Sequence, residues 1–381
     1  MEVENIFGFV IILTGGTNDM VCHEVILDNK VRELTIPSGG SHGGNQINKA
    51  FARFLKEHFG EEIIQNIENS HPNLWYEFNA SFEKMKKKCK GDFNETMRIE
   101  IPKKVRKELR KAPGPGKYQM EVQGDELAIG SETIFELFSK TVDGIEKDLH
   151  DAIEQLDNKL DFIIMVGGFS QSHIVYSRIT SKFQTEEGCK VLRPHEAQAA
   201  VMKGAVLFGH FQNDIISRIS RRTYGFDCTM PFVKDIHDEK YKIQDIDGSI
   251  RCSKIFVPMV TIGEEIEVIS KREQYYDLFR GQTVFTVSFY SLNREPRSDI
   301  EYVDSDDFEK LGKIRLRTSV SDSNAEREVV MGMSFGQTEI LIDAYDITSK
   351  NGVDVAIDFF TDKSGEDESS GDGAKSRAAV E

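Results

Sequence analysis

The sequence predicts an α/β domain over residues 1–212 and a mostly-β domain over residues 213–360. In the first part, the apolar run Phe162–Val166 leads into two glycines and a helical pattern, which is the order of a βα unit. Amphipathic helical segments elsewhere in this part indicate the same class. In the second part, short alternating segments lie between turns, a pattern that predicts a β-sandwich.

The composition is that of a folded, acidic, globular protein. Its 381 residues are enough for two or three domains with their own cores, and 39% of them are hydrophobic. The formal net charge is −16 at pH 7, whereas a nucleic-acid backbone needs a basic surface and an anionic membrane repels acidic proteins. We therefore expect neither nucleic acid nor a membrane as a partner.

The cysteines and the first apolar run indicate the cellular compartment. Five cysteines are scattered along the chain without a CxxC pair, which argues against a zinc cluster or a disulfide framework and favours a reducing compartment. The apolar run at residues 6–13 is too short to span a bilayer, and acidic residues precede it instead of the basic ones of a signal peptide. We interpret this run as a buried strand and expect a cytoplasmic location.

The chain begins with a predicted β-hairpin. Residues 6–13 and 20–26 are predicted strands, and the turn between them reads TGGTND, residues 14–19. A tight turn is the simplest interpretation of these glycines. The backbone N–H groups of the turn and the hydroxyl of Thr17 could also cradle a phosphate.

Helices are predicted at residues 45–59, 75–90 and 131–156. A glycine-rich loop, SGGSHGG at residues 38–44, precedes the first of them. Residues 60–130 are predicted to form a helical and β insertion. Its GPGK segment is interpreted as a turn, because the spacing of a P-loop is absent.

The helix predicted at residues 75–90 carries a run of lysines near its end. Such a run usually marks a solvated face. The alternative is a ligand-binding face, since Glu83, Lys86 and Lys87 lie at positions i, i+3 and i+4 and therefore share one side of the helix.

The central stretch runs from residue 161 to residue 209. Gly167 and Gly168 allow a sharp turn after the strand and the close approach of a ligand, although an ordinary βα turn is the simpler reading. Ser170 or Ser172 can cap the helix that follows, whose free amides favour anions. Beyond a short strand at residues 191–192, small residues are expected to let a second helix pack close to a sheet: Ala197, Ala199, Ala200, Gly204 and Ala205.

The second domain is predicted from its strands. Their expected ranges are 255–260, 265–269, 283–290, 314–318, 328–335, 339–345 and 353–359. Residues 361–381 are polar and rich in serine, glycine and charge, and we expect them to be a disordered tail.

Two blocks of the central stretch carry a family resemblance. VGGFSQS (residues 166–172) and RPHEAQAAVMKGAVLFG (residues 193–209) resemble the adenosine motif and following helix of the actin and 70-kDa heat-shock protein superfamily. Phe169 and the later RRTYGF (residues 221–226) are similar to its divergent branch of heat shock 70 kDa proteins 12A and 12B. The resemblance implies the second lobe of an actin-like ATPase, which has a ribonuclease-H-like α/β fold. The family follows its ATPase with a β-sandwich that binds extended apolar peptide.

The resemblance also implies a ligand, ATP or ADP, and a set of site residues. The GGTND turn is similar to the family's second phosphate motif, and GG at residues 43–44 is similar to the glycines before its next helix. The implied phosphate-binding residues are Gly15, Gly16, Thr17, Asp19, Gly43 and Gly44. The implied adenosine-binding residues are Glu83, Lys86, Lys87, Gly167, Gly168, Phe169, Ser170 and Gln171.

Several positions depart from the family's pattern. Ile12 and Thr14 stand where the phosphate motif has an acidic residue and its first glycine. Lys87 and Gln171 replace arginines of the adenosine site, and His195 replaces an aspartate. The chain is expected to begin at the second lobe, so no catalytic residue and no metal ligand are assigned. Mg²⁺ could accompany the nucleotide, but Asp19 alone would hold it weakly.

Two functions from different classes follow. In the first, the protein is a heat-shock-70-like ATP- or ADP-binding chaperone relative with unfolded or client proteins as partners, and hydrolysis is left open. In the second, it is a truncated pseudo-ATPase that acts as a protein-interaction module without nucleotide. A sugar or acetate kinase of the same fold would leave the C-terminal β region unexplained.

Overall fold

The computed structural model describes most of the chain between residues 6 and 358. The described ranges are 6–26, 30–90, 95–112, 116–210, 214–245, 248–268, 270–278, 281–318, 327–335, 339–348, 350 and 352–358, with backbone alone at 354–358. The described residues form two compact units. The first contains those up to residue 29 and from 37 to 211, and the second contains residues 30–36 and those from 212 onward. The predicted tail, 361–381, lies outside the described residues.

The helices are α1 (Gly44–Phe59), α2 (Glu61–Ser70), α3 (Pro72–Lys88), α4 (Lys103–Leu109), α5 (Ser131–Ile153), α6 (His173–Glu186) and α7 (Ala200–His210). The strands of the first half are β1 (Ile6–Leu13), β2 (Asn18–Val25), β3 (Val31–Glu33), β4 (Ser38–Gly40), β5 (Met97–Glu100), β6 (Met120–Gln123), β7 (Glu126–Ile129), β8 (Phe162–Val166) and β9 (Lys190–Leu192). The strands of the second half are β10 (Ile215–Ile219), β11 (Thr223–Pro231), β12 (Lys242–Gln244), β13 (Ile250–Val260), β14 (Glu265–Glu267), β15 (Lys271–Asp277), β16 (Val284–Leu292), β17 (Phe308–Arg317), β18 (Glu328–Phe335), β19 (Glu339–Asp346) and β20 (Gly352–Asp358).

The main sheet of the first unit contains the predicted hairpin and the central strand. Its strands are ordered β4-β2-β1-β8-β9. Strand β1 pairs with β2 in antiparallel and with β8 in parallel, and Ile12 lies opposite Val166 in the parallel pair. Because the parallel strands end at the same edge, the turns that follow β1 and β8 lie next to each other. Alternate residues of β1 are buried, as expected for a strand with one face on the core.

Helices α1 and α5 follow the predicted patterns. The buried residues of α1 recur at helical spacing and include Ile47, Phe51, Phe54 and Leu55, as predicted. The ring of Phe51 stacks on that of Phe82 in α3, with centroids 3.9 Å apart. This aromatic pair joins the first helix to the helix that carries the predicted adenosine-binding residues.

The predicted insertion, residues 60–130, contains both helices and strands. Strands β5, β7 and β6 form a small antiparallel sheet, and α2 precedes α3.

The expected loop at residues 38–44 begins with strand β4, which pairs with β2. Gly39 permits this pairing because a Cβ there would overlap the backbone of Asn18, whose carbonyl carbon would be 3.1 Å away.

The prediction that α7 packs close to a sheet is wrong. None of its residues is buried, and four large apolar residues of this helix are exposed: Val201, Met202, Val206 and Leu207. The contact with the sheet is made before the helix begins, since Ala197 is buried and its carbonyl accepts a hydrogen bond of 2.8 Å from Gly167 N. Of the small residues in this segment, Ala197 therefore serves the turn after β8, and those within α7 form no buried interface with a sheet.

The second unit is built from antiparallel sheets. One has the order β12-β13-β11-β16-β17 and another the order β15-β18-β19-β20. Residues from both sheets share one hydrophobic core, among them Phe226 and Phe289 from the first and Met331 and Ile342 from the second. Residues 30–36 were predicted to belong to the first domain, whereas β3 pairs in parallel with β10 of the second unit. No helix of the described residues is long and apolar enough to cross a membrane.

Candidate functional site

A cleft of about 200 Å³ lies in the first unit, beside the turns that follow β1 and β8. All but two of the residues that line it, Asn45 and Ser172, are among the predicted site residues. The full lining is Gly15, Gly44, Asn45, Glu83, Lys86, Lys87, Gly168, Phe169 and Ser172. Residues from four separate segments therefore meet at one place.

The start of α1 is fixed against the hairpin turn by backbone contacts. Gly44 N donates to Thr14 O at 3.0 Å, and Asn45 N donates to Gly15 O at 2.7 Å. The two chains approach so closely that a Cβ on Gly43 would lie 2.6 Å from Gly15 O. Glycine is thus required at 43 for packing, and the first amides of α1 are bonded within the protein.

The hairpin turn is closed by the side chain of Thr14. Its Oγ1 accepts hydrogen bonds from Gly16 N (3.1 Å) and Thr17 N (2.9 Å). The hydroxyl of Thr17 donates to Asp19 Oδ2 at 3.0 Å. Two of the amides and the hydroxyl that were predicted to cradle a phosphate are therefore engaged by neighbouring groups of the turn.

Lys86 is a buried cation at the wall of the cleft. Its Nζ donates to Gly44 O (3.0 Å), Asn48 Oδ1 (2.9 Å) and Glu83 Oε2 (2.6 Å). The side chain of Lys86 is 3% exposed and that of Glu83 is 40% exposed. Burial lowers the pKa of Lys86 below its ordinary value, and the ion pair with Glu83 offsets part of that decrease. All three ammonium protons have acceptors, so this lysine connects α3 to the start of α1.

The turn after β8 forms another part of the cleft wall. Gly167 has a φ of +89°, and a Cβ there would overlap the backbone of Leu13, whose carbonyl carbon would be 2.9 Å away. A Cβ on Gly168 would meet no heavy atom within 4 Å. Phe169 is buried and lines the cleft, with its ring centroid 5.9 Å from Lys86 Nζ. Phe169 is therefore both a core residue and part of the cleft wall.

Ser170 and Gln171 do not line the cleft. The hydroxyl of Ser170 is buried and donates to Gly167 O at 2.7 Å, which stabilises the turn. The carbonyls of Ser170 and Gln171 accept from Arg193 Nη1 at 3.1 and 3.4 Å. The remaining predicted residues lie outside the lining: Gly16 and Thr17 in the hairpin turn, Asp19 in β2, Gly43 directly before α1, and Gly167 in the turn after β8.

Two lining residues were missed by the sequence analysis as ligand-binding candidates. Asn45 lies in the first turn of α1, and its amide group faces Gly15. Ser172 was considered as a helix cap, but it makes no side-chain cap bond to α6. Its Oγ is buried and has no hydrogen-bond partner. An unpaired buried hydroxyl is costly, so a ligand that pairs with it would gain free energy.

Carboxylates are the groups of the site that could bind a metal ion. The side chain of Asp19 accepts from Thr17, as described above. Within the ranges that the structure describes, no group of three or more His, Cys, Asp or Glu residues could hold a metal ion.

Comparison with known proteins identifies relatives of this chain by sequence. No protein-family model matches the chain. Heat shock 70 kDa protein 12A of Mus musculus is 27% identical over 364 residues, which cover 91% of this chain and 53% of the relative. Heat shock 70 kDa protein 12B of Homo sapiens is 26% identical over 374 residues, again 91% of this chain and 53% of the relative.

The chain is a homologue of the 12A/12B branch of the 70-kDa heat-shock superfamily. It spans about half the length of these 12A and 12B relatives. A more distant match is the chaperone protein DnaK of Anaplasma marginale (strain St. Maries), which is 24% identical over 169 residues, 44% of this chain and 22% of the relative. The structure is of the mixed α/β class that the 12A/12B resemblance implied, and it contains several sheets.

Proposed function

We propose that the first unit binds an adenine nucleotide, ATP or ADP, in the cleft described above. The observation that carries the proposal is the meeting of four separate segments at this cleft: the hairpin turn, the start of α1, the end of α3 and the turn after β8. The homology to 70-kDa heat-shock proteins supports it, because that family has an actin-like ATPase fold. Binding is the proposed activity, and hydrolysis is not part of the proposal.

The chemistry of the walls suits a base and a ribose. The Glu83 carboxylate remains partly exposed and can accept hydrogen bonds from ribose hydroxyls. The Phe169 ring and the stem of Lys87 offer apolar surface to a base. Asn45 and Ser172 add hydrogen-bonding groups that can orient it. Asp19 is the carboxylate beside the turn that could assist an Mg²⁺ bound with the nucleotide.

Calorimetric titration of the full chain with Mg·ADP and Mg·ATP tests the proposal. We expect a Kd of about 1–100 μM for the wild-type chain. A Gly168→Asp variant should bind at least about tenfold more weakly, because its side chain would extend into open space at the cleft. Gly204→Asp is the matched control, since a Cβ at that position of α7 also meets open space but lies outside the cleft lining.

Two results would refute the proposal. One is the absence of binding heat for the wild-type chain at about 1 mM nucleotide. The other is an equal loss of affinity in Gly168→Asp and Gly204→Asp, which would show that the cleft is not the binding site.

The alternative function is a protein-interaction module that needs no nucleotide. The observation that favours it is the closed hairpin turn, in which Thr14 already engages two of the amides. If this alternative is correct, the cleft is a remnant of the family's fold and nucleotide has no effect on stability or partner binding.

We also propose that the second unit contacts unfolded client proteins. Tyr275 and Tyr345 are exposed and flank Val330 in register across three strands, so they form an apolar row on the outer sheet face. A fluorescent, permanently unfolded protein should bind the full chain, and a Tyr275→Ser/Tyr345→Ser variant should bind it more weakly. Equal binding by the variant would contradict this assignment. A cytoplasmic location remains a prediction from the sequence.

A further inference from the structure

We propose that the site recognises the nucleoside part of its ligand and gains little affinity from the phosphates. The reason is that the Thr14 hydroxyl already accepts hydrogen bonds from two amides of the hairpin turn that was predicted to bind phosphate. This inference rests on the proposed nucleotide binding. It concerns which part of the ligand supplies the binding free energy, and it assigns Thr14 as the residue that sets this preference.

The closure is a local network of hydrogen bonds. Thr14 Oγ1 accepts from Gly16 N and Thr17 N, and it lies 3.1 Å from Thr17 O, to which it donates. A phosphate oxygen could use these two amides only by displacing the hydroxyl. The two amides would then only exchange one oxygen acceptor for another. The binding free energy gained from the phosphate's hydrogen bonds would therefore be small.

The donors at the start of α1 and on Lys86 are also engaged. The amides of Gly44 and Asn45, which begin α1, donate to carbonyls of the hairpin turn. The Lys86 ammonium has three protein acceptors within 3.0 Å and is almost fully buried. The Asp19 carboxylate adds negative charge beside the turn and opposes a phosphate electrostatically.

The unused hydrogen-bonding capacity lies on the nucleoside side of the cleft. The Oγ of Ser172 is buried without a partner, and the Glu83 carboxylate is partly exposed. The Lys87 ammonium also belongs to the cleft lining and can approach one phosphate. The phosphates should therefore contribute a small increment, while the base and ribose supply most of the affinity.

The test compares adenosine with Mg·ADP by calorimetry for the full chain and two variants at position 14. Thr14→Ala removes the hydroxyl that occupies the amides, and Thr14→Ser retains it as the matched control. For the wild-type chain and Thr14→Ser, we expect the Kd values of adenosine and ADP to agree within about threefold. In Thr14→Ala, the preference for ADP over adenosine should rise at least about tenfold.

The outcomes separate this inference from the proposed function. If the wild-type chain binds ADP about 30-fold or more tightly than adenosine, or if Thr14→Ala keeps the wild-type ratio, the inference is wrong while nucleotide binding stands. If neither ligand binds any of the three proteins at about 1 mM, the proposed function is wrong and the inference falls with it. Circular dichroism of each variant checks that it is folded.

Discussion

Because the hairpin turn and the start of α1 are in close contact, one added methyl group at position 43 should lower the free energy of unfolding substantially. In Gly43→Ala, the new Cβ would lie 2.6 Å from Gly15 C and from Gly15 O and closer still to Gly16 C, all of which are backbone atoms. The turn must move, which weakens the bonds from Gly44 N and Asn45 N. Losing two hydrogen bonds costs about 1–3 kcal/mol and the displacement adds about 1–3 kcal/mol, so we expect a loss of about 2–6 kcal/mol.

Urea unfolding followed by the fluorescence of Trp75 measures this loss. The chain has a single tryptophan, which lies on α3 and therefore reports on the first unit. With a denaturant slope of about 2 kcal/mol/M, the midpoint of Gly43→Ala should fall by about 1–3 M.

Gly16→Ala is the matched control for this measurement. A Cβ at position 16 meets nothing within 4 Å, so this variant should unfold within about 1 kcal/mol of the wild-type chain. If the midpoint of Gly43→Ala differs from that of Gly16→Ala by less than about 0.3 M, the packing argument is refuted.

Other variants and reagents test further contacts. Ser172→Ala should leave the free energy of unfolding unchanged or raise it by up to about 1 kcal/mol, yet weaken adenosine binding about three- to tenfold; a parallel loss of stability would contradict this. Ser170→Ala breaks a buried hydrogen bond and should lose about 1 kcal/mol in urea unfolding, so full stability would be inconsistent with the bond. Gly167→Ala should lose about 2–4 kcal/mol through strain and overlap, and a wild-type midpoint would exclude that strain. Burial raises the pKa values of Cys22 and Cys228 to about 12, so both thiols should stay protonated at about pH 8.5 and resist iodoacetamide until the protein unfolds; mass spectrometry showing rapid native labelling would refute this.

The sequence predicts those elements whose signals are local. Strands β1 and β8 have the predicted bounds, because each is a short apolar run beside glycines. Helix α1 differs from its predicted range by one residue, since its apolar spacing and the preceding glycines mark both face and start. The glycines at 15, 44 and 168 meet at one cleft, as the resemblance implies, while their role in nucleotide binding stays a prediction.

The sequence predicts poorly what depends on tertiary context. Helix α7 has an apolar sequence but no buried residue, because its neighbours in space decide burial and its composition does not. The short strand β4 was missed because SGG lacks β-forming side chains and pairs only through its backbone. The bonds of Thr14 and the unpaired hydroxyl of Ser172 depend on side-chain geometry at turns, which no spacing rule reveals.

The stacked rings of Phe51 and Phe82 have a kinetic consequence. Helix α3, which carries Glu83 and Lys86, cannot move away from α1 without separating these rings. The Lys86 ammonium also joins the two helices through its hydrogen bonds to Gly44 and Asn48. The cavity is therefore preshaped before any encounter with a small molecule. Observed association rates in stopped flow should increase linearly with ligand concentration and should not level off at an opening step.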